Sequence, residues 1–197
     1  MFQVVRADQA EFDVRQGISK IFADGFTQWL GFFSKDPRKI ADTFAHMFVL
    51  DQFYVALNDK EVVGMVACTD GTSHSVKMDK KELRKHLGFY KGTMAAIFLK
   101  KEFEAPFVQP SNEVGSIEFV GTANEFRGQG VASQLILHII KHTHYEVYLI
   151  EEVADTNIPA IKMYSKLGFE EYKRRPIPNK RAKRIGINYI VSLRYTK

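Results

Sequence analysis

Between residues 116 and 194 the hydrophobic period of the chain switches repeatedly between the strand repeat of two and the helix repeat of 3.6. That alternation constrains the fold more than any other feature of the sequence. Ser116–Thr122 reads as a strand. Val131–His144 is the clearest helix, with Val131, Leu135, Ile136, Ile139 and Ile140 at helical spacing. Val147–Val153 is a strand, and Ile158–Leu167 a helix stopped by Gly168. Glu170–Lys173 and Ile187–Arg194 are final strands around a basic loop. Strand, helix, strand, helix, strand, strand predicts a mixed α/β sandwich.

The first half is less regular. Phe2–Arg6 is a short candidate strand, and residues 8–33 carry a broken helical pattern through Phe12, Ile18, Ile21, Phe22, Phe26 and Trp29. Asp36 and Pro37 open a helix over Pro37–Met47. Phe53–Leu57 and Glu61–Thr69 read as a hairpin turning at Asn58–Lys60. Asp79–Glu104 is helical in pattern, interrupted at Gly88 and Gly92, and Ala105–Ser111, with its two prolines, is a loop. With 197 residues and no linker or repeat, one domain over 1–197 is expected, with a less regular N-terminal part over 1–112 carrying a helical insertion at about 79–104, and a regular core over 113–197. Composition, at 45% hydrophobic and 26% charged, excludes disordered and collagen-like classes. A single cysteine, Cys68, forms no internal disulfide, no run is long enough to span a bilayer, and the charged start is unlike a signal peptide. A cytoplasmic protein without a membrane partner is the expectation. The net charge of +5 favours anionic ligands without specifying nucleic acid.

The most informative loop is Thr122-Ala-Asn-Glu-Phe-Arg-Gly-Gln-Gly-Val-Ala-Ser133, between a strand and the best helix. A helix N-terminus exposes unpaired N–H groups and a positive dipole end. Glycines let a phosphate approach that backbone, and Arg127 adds a charge. A Walker loop needs Gly-Lys-Ser/Thr, which is absent. A Rossmann turn needs a third glycine where Ser133 stands and a tighter approach from the strand, although Glu151 lies at a suitable distance. The loop alone also permits a plain turn.

Together with a second motif nearer the C-terminus, these residues resemble the GCN5-related N-acetyltransferase (GNAT) superfamily. Its signature Arg/Gln-x-x-Gly-x-Gly/Ala appears as Arg127-Gly-Gln-Gly-Val-Ala132. The second signature, Asn-x-x-Ala-x-x-x-Tyr-x-Lys-x-Gly-Phe, appears as Asn157 to Phe169 at the family's spacing. The loop lacks the family's valine and proline but keeps Glu125, Phe126 and Arg127. The resemblance implies an α/β (α+β) fold: a twisted mixed, mostly antiparallel sheet with helices on both faces. It also implies acetyl-CoA as co-substrate, an amine acceptor, no metal, and direct transfer without an acyl-enzyme.

On that resemblance the cofactor contacts fall on Phe119, Val120, Gly121 and Thr122 of the strand. They continue through Arg127, Gly128, Gln129, Gly130, Val131, Ala132 and Ser133 of the loop, and then Asn157 and Tyr164. Amine acetylation needs a neutral amine, a donor for the oxyanion and a proton for the leaving thiolate. Tyr164 matches the family tyrosine near the sulfur and is the expected acid. Glu118, a carboxylate between Ile117 and Phe119, is the expected base or acceptor-binding group, with Glu113 the weaker candidate. The oxyanion donor is expected from a backbone N–H near Val120. Asn157 also caps its helix, and Cys68 reads as a small buried residue.

Other signals are set aside. His138 and His142 stand four apart, but Ile139 occupies the place where a metalloprotease motif has Glu. The basic run Lys173, Arg174, Arg175, Lys180, Arg181, Lys183 and Arg184 lacks the interleaved aromatics of a nucleic-acid platform. A solvated hairpin is expected there, so nucleic acid is not an expected partner, and a homodimer stays open. The competing functions are a non-catalytic CoA-binding sensor and a basic nucleic-acid module. Met94, Ala95, Ile97, Phe98 and Phe103, like Phe26, Trp29, Phe32 and Phe33, read equally as core or as acceptor-pocket wall.

Overall fold

In a computed structural model the alternating periods resolve into one twisted mixed sheet of seven strands, ordered β1-β2-β3-β4-β5-β7-β6. Residues 2–30, 33–103, 111–178 and 186–197 are described; within helices, the side chains of 26–29, 98 and 101–103 are not. The strands are β1 (Gln3–Arg6), β2 (Phe53–Asn58), β3 (Glu61–Thr69), β4 (Val114–Thr122), β5 (Val147–Ala154), β6 (Glu170–Pro176) and β7 (Tyr189–Thr196). The helices are α1 (Arg15–Leu30), α2 (Pro37–Phe44), α3 (Lys80–Leu87), α4 (Phe89–Phe103), α5 (Val131–His142) and α6 (Ile158–Lys166). Every strand pair is antiparallel except β4 and β5, which run parallel.

The sheet separates two cores. Alternate residues of β2 and β3, among them Val55, Leu57, Met65 and Ala67, pack with α1 to α4 on one face. Ala56, Val66 and Cys68 pack on the other face with α5, Tyr148 and Tyr164. Covered on both sides, β3 is buried from Val62 to Thr69.

Local chemistry explains the element ends. Asp59, at φ 54°, turns the β2–β3 hairpin. Asp36 caps α2 through the Arg38 N–H, with Pro37 in its first turn. The broken pattern over 8–33 becomes a helix only from Arg15, whose N–H meets Asp13 Oδ1 at 2.9 Å. Phe33 is core, whereas Phe26, Trp29 and Phe32 lie outside the described side chains or residues.

The 79–104 segment departs from its reading in two ways. Gly88, at φ +80°, does break it, into α3 and α4. Gly92 does not: α4 runs straight through it, because this glycine lets the two helices touch. A Cβ on Gly92 would sit 2.5 Å from Arg84 Cα and 2.7 Å from the Leu83 carbonyl oxygen. Moreover, of the residues in this segment read as core or acceptor-pocket wall, only Ala95 is shown buried. Met94 and Ile97 face solvent, and Phe98 and Phe103 lie outside the described side chains. Leu83, Leu87, Ala95 and Leu99 join the pair to the core on that face.

Since backbone cannot retreat as a side chain can, Gly92→Ala is expected to cost about 1–3 kcal/mol in chemical denaturation. Gly25→Ala, in α1 with nothing within 4 Å of the added methyl, should instead be neutral or gain up to about 1 kcal/mol. Equal stability of the two variants would contradict the close approach.

Candidate active site

A parallel pair that stays zipped offers no opening, and β4 and β5 are zipped only at one end. Val114, Gly115 and Ser116 pair with Val147, Tyr148 and Leu149. Beyond that, β4 continues to Thr122 beside β3, and β5 continues to Ala154 beside β7, with no ladder between them. Both strands break register there. The β4 break lies opposite Met65 to Ala67, and the β5 break lies between Ile150 and Val153. At each break a non-glycine residue is left-handed, Phe119 at φ 51° and Glu152 at φ 59°. Such a conformation costs about 1–2 kcal/mol per residue. The Phe119 ring, held against Phe22 and Phe53, keeps the first in place. Bulges of this kind bend strands and end pairing. The result is a V whose inner edges, including the Val120 stretch, have lost their ladder partners.

The glycine loop lies where β4 ends. A single 3-10 turn, Asn124–Phe126, leads into Gly128 and Gly130 at φ +77° and +81°. Neither glycine has an atom within 4 Å of an ideal Cβ, so both serve backbone conformation and leave the space above them open. Gly130 is the N-cap of α5 and supplies no side chain to cap it. The first N–H groups of α5, on Val131, Ala132 and Ser133, precede the first intrahelical bond, from Gln134 to the Gly130 carbonyl at 2.9 Å. They meet the positive end of the helix dipole, a geometry suited to an anion. Arg127 is exposed beside them, its Nε 3.5 Å from the Thr122 carbonyl, and Gln129 holds the loop through the Glu125 carbonyl at 3.0 Å. Val131, Leu135, Ile136 and Ile139 bury the opposite side of α5 and fix its direction.

Tyr164 lies on α6, whose N-cap Asn157 accepts the Ala160 N–H at 3.4 Å. The N–H groups of Leu167 and Phe169 close on the Tyr164 carbonyl and stop the helix before Gly168. The ring is 5% exposed beside Phe169, and its hydroxyl has no hydrogen bond among the described residues. Burial pushes this phenol up to about 12, so it keeps its proton through neutral pH.

Glu118 is half-buried on β4, opposite Ala67. Its Oε1 accepts the Thr69 hydroxyl at 3.3 Å and its Oε2 the Ser75 hydroxyl at 2.5 Å. It is therefore a held carboxylate and not a free surface acid. Sequence reasoning missed Thr69 and Ser75. Ser75 lies 43 residues from Glu118 in a stretch with no periodicity, and no local signal marks it.

The other candidates separate. Glu113 is exposed at the zipped end of the V, where its carbonyl accepts the Glu146 and Val147 N–H groups. Cys68 is buried, and burial with the nearby Glu118 and Asp70 charges pushes its thiol up to about 12. It is a poor nucleophile. Glu151 accepts the Tyr172 hydroxyl at 2.7 Å on the surface. His138 and His142 stack at 4.1 Å on α5, and among the described residues no cluster of three or more His, Cys, Asp or Glu could hold a metal. Arg174 and Arg175 pair with Glu171 and Glu152 at 2.6 and 3.0 Å; Lys180, Arg181, Lys183 and Arg184 lie outside the described residues. No described helix is long and apolar enough to cross a membrane.

The comparisons with known proteins agree with this architecture. The sequence profile described as "Acetyltransferase (GNAT) family" matches residues 18–169. An N-acetyltransferase from Staphylococcus aureus Mu50 superposes at a TM-score of 0.60 and 16% identity, covering 98% of this chain and 100% of its own. A GCN5-related N-acetyltransferase from Kribbella flavida gives 0.58 and 15%, over 100% of this chain and 98% of its own. A GNAT-family acetyltransferase from Bacillus cereus ATCC 10987 gives 0.56 and 12%, over 100% and 98%. At these identities the structures show a shared fold. No curated protein matches the chain.

Proposed function

The chain belongs to the GNAT family of acetyltransferases, and on that premise we propose that it moves an acetyl group from acetyl-CoA directly to a primary amine. A small amine metabolite is the first reading of the acceptor, and a peptide or protein amine the second. One observation carries the proposal: β4 and β5 stop pairing after Ser116 and Leu149, and β4 then runs into the loop from which α5 starts with N–H groups that have no intrahelical partner. One continuous track thus offers strand-edge N–H groups to an amide-rich arm and a helix N-terminus to a diphosphate. In this reading residues 1–112 supply the acceptor side and 113–197 the acetyl-CoA half of one domain.

The pyrophosphate rests on the backbone from Arg127 to Ser133, with Gly128 and Gly130 admitting it closely and Arg127 contributing charge. The arm follows Phe119 to Thr122, and Asn157 borders it from α6. The amine nitrogen attacks the thioester carbonyl, forming the N–C bond, while its proton passes to Glu118, directly or through water. The oxyanion is stabilised by a backbone N–H near Val120. The C–S bond then breaks and the Tyr164 phenol protonates the leaving sulfur. Its buried, protonated state supports that assignment. Nothing in the sequence of steps uses Cys68.

The test pairs binding with turnover. Acetyl-CoA at 100-fold above its Kd should stabilise the protein by about 2.7 kcal/mol, read as a rise in Tm. CoA release should then be followed over spermidine, 2-phenylethylamine, lysine, an aminoglycoside and short peptides with free N-termini. Stabilisation without turnover of any amine would favour a CoA-binding sensor; no binding by calorimetry would remove the proposal.

A further inference from the structure

We propose that Thr69 and Ser75 are positioning residues for Glu118, and that Ser75 reaches it because the chain after β3 is tied to the segment following α2. The inference rests on the reading of Glu118 as the group that takes the amine proton. After Thr69 the chain leaves the sheet, turns on Asp70, whose Oδ1 accepts the Thr72 and Ser73 N–H groups, and brings Ser75 back to Glu118 on β4. There it is tied down. Val76 forms a bridge with Phe48, the Val49 N–H donates to the Ser75 carbonyl at 3.0 Å, and the Lys77 N–H to the Met47 carbonyl at 2.7 Å. Ser75 and Val76 are 2% and 0% exposed.

The two hydroxyls act from different parts of the structure. Thr69, 2% exposed, comes from β3, while Ser75 comes from the tied loop. The Thr69 oxygen also lies 3.4 Å from the Gly71 N–H, which leaves its proton to Glu118. A carboxylate has about four lone-pair sites, and each oxygen of Glu118 uses one on a hydroxyl. One site per oxygen remains for an incoming amine or its bridging water. Held on both oxygens, the carboxylate cannot rotate about its last torsion, so those free sites keep one direction. Placement to within about 0.5 Å is what proton transfer requires.

The experiment measures kcat, acceptor KM and acetyl-CoA Kd with spermidine or whichever amine is turned over fastest. It compares Thr69→Val, Thr69→Ser, Ser75→Ala, Glu118→Gln and Ser75→Ala combined with Glu118→Gln. Ser75→Ala and Thr69→Val should each lower kcat by roughly tenfold, with acetyl-CoA Kd and Tm nearly unchanged. Thr69→Ser, which keeps the hydroxyl, should restore most of the rate. In the Glu118→Gln background Ser75→Ala should add nothing, because the group it positions is gone. Full additivity with Glu118→Gln, or equal loss in Thr69→Val and Thr69→Ser, would overturn the positioning role alone. Wild-type turnover by Glu118→Gln would overturn the role of Glu118 and this inference together.

Discussion

Tyr164→Phe is expected to lower kcat by about 10²-fold while leaving the acetyl-CoA Kd within about twofold. The substitution keeps the ring, and with it the contact with Phe169 and the packing of α6 against the sheet. Because the hydroxyl makes no hydrogen bond among the described residues, its loss strands no described partner. What disappears is one proton donor. Burial holds that donor near 12, above its ordinary value of 10, so the wild-type rate should stay insensitive to Tyr164 ionisation through neutral and mildly alkaline pH. The same shift has a stability consequence with a definite sign. The unfolded phenol ionises near 10 and the folded one near 12. The contribution of Tyr164 to folding is therefore complete below about pH 10 and is lost as pH rises toward 12. Kinetics at saturating acetyl-CoA, with a calorimetric Kd for both proteins, decides the question. Unchanged kcat would take Tyr164 out of the mechanism. A parallel collapse of Kd would make it a binding residue.

Gly130→Asp is the second large effect. It should weaken acetyl-CoA binding by 10²-fold or more, at a stability cost of about 1–2 kcal/mol. Nothing lies within 4 Å of the added Cβ, so that cost is backbone strain alone, from a side chain held at φ +81°. Its carboxylate would stand in the open space above the loop, beside the α5 N–H groups that the proposal gives to the pyrophosphate. The new group thus takes up that space and repels the same charge. A hundredfold loss is about 2.7 kcal/mol, reasonable for a charge placed against a diphosphate at a partly exposed site. Arg127→Ala, on an exposed side chain, should cost less, about tenfold. Calorimetry on the three proteins, with Tm as the folding control, checks the order. Wild-type affinity in Gly130→Asp would move the pyrophosphate away from α5.

The glycine loop and the α6 motif were legible because each is local. Gly128 and Gly130 stand where the backbone must be left-handed, Asn157 where a helix needs a cap, and the apolar repeat of α5 points one side at the sheet. Conformational preference and period are properties of a few neighbouring residues, so a sequence states them directly. The 79–104 segment was misread in detail for the opposite reason. A glycine that ends a helix and a glycine that lets a second helix touch look alike in sequence. Only the approach of Arg84 to Gly92 distinguishes that position from Gly88.

The chain by itself therefore determined the order of strands and helices in its second half, the membership in an acetyltransferase family, and the names of its candidate acid and base. Tertiary structure alone decided that β4 and β5 part after Ser116 and Leu149, since register between strands is settled by partners more than 30 residues apart. It placed Glu113 in the turn before β4, exposed at the zipped end, and Glu118 within β4, held by two hydroxyls. It also supplied Ser75, brought to Glu118 across 43 residues by a loop tied between Met47 and Val49. Hydrogen bonds between distant segments leave no periodic trace, because each partner obeys only its own local surroundings until the chain folds.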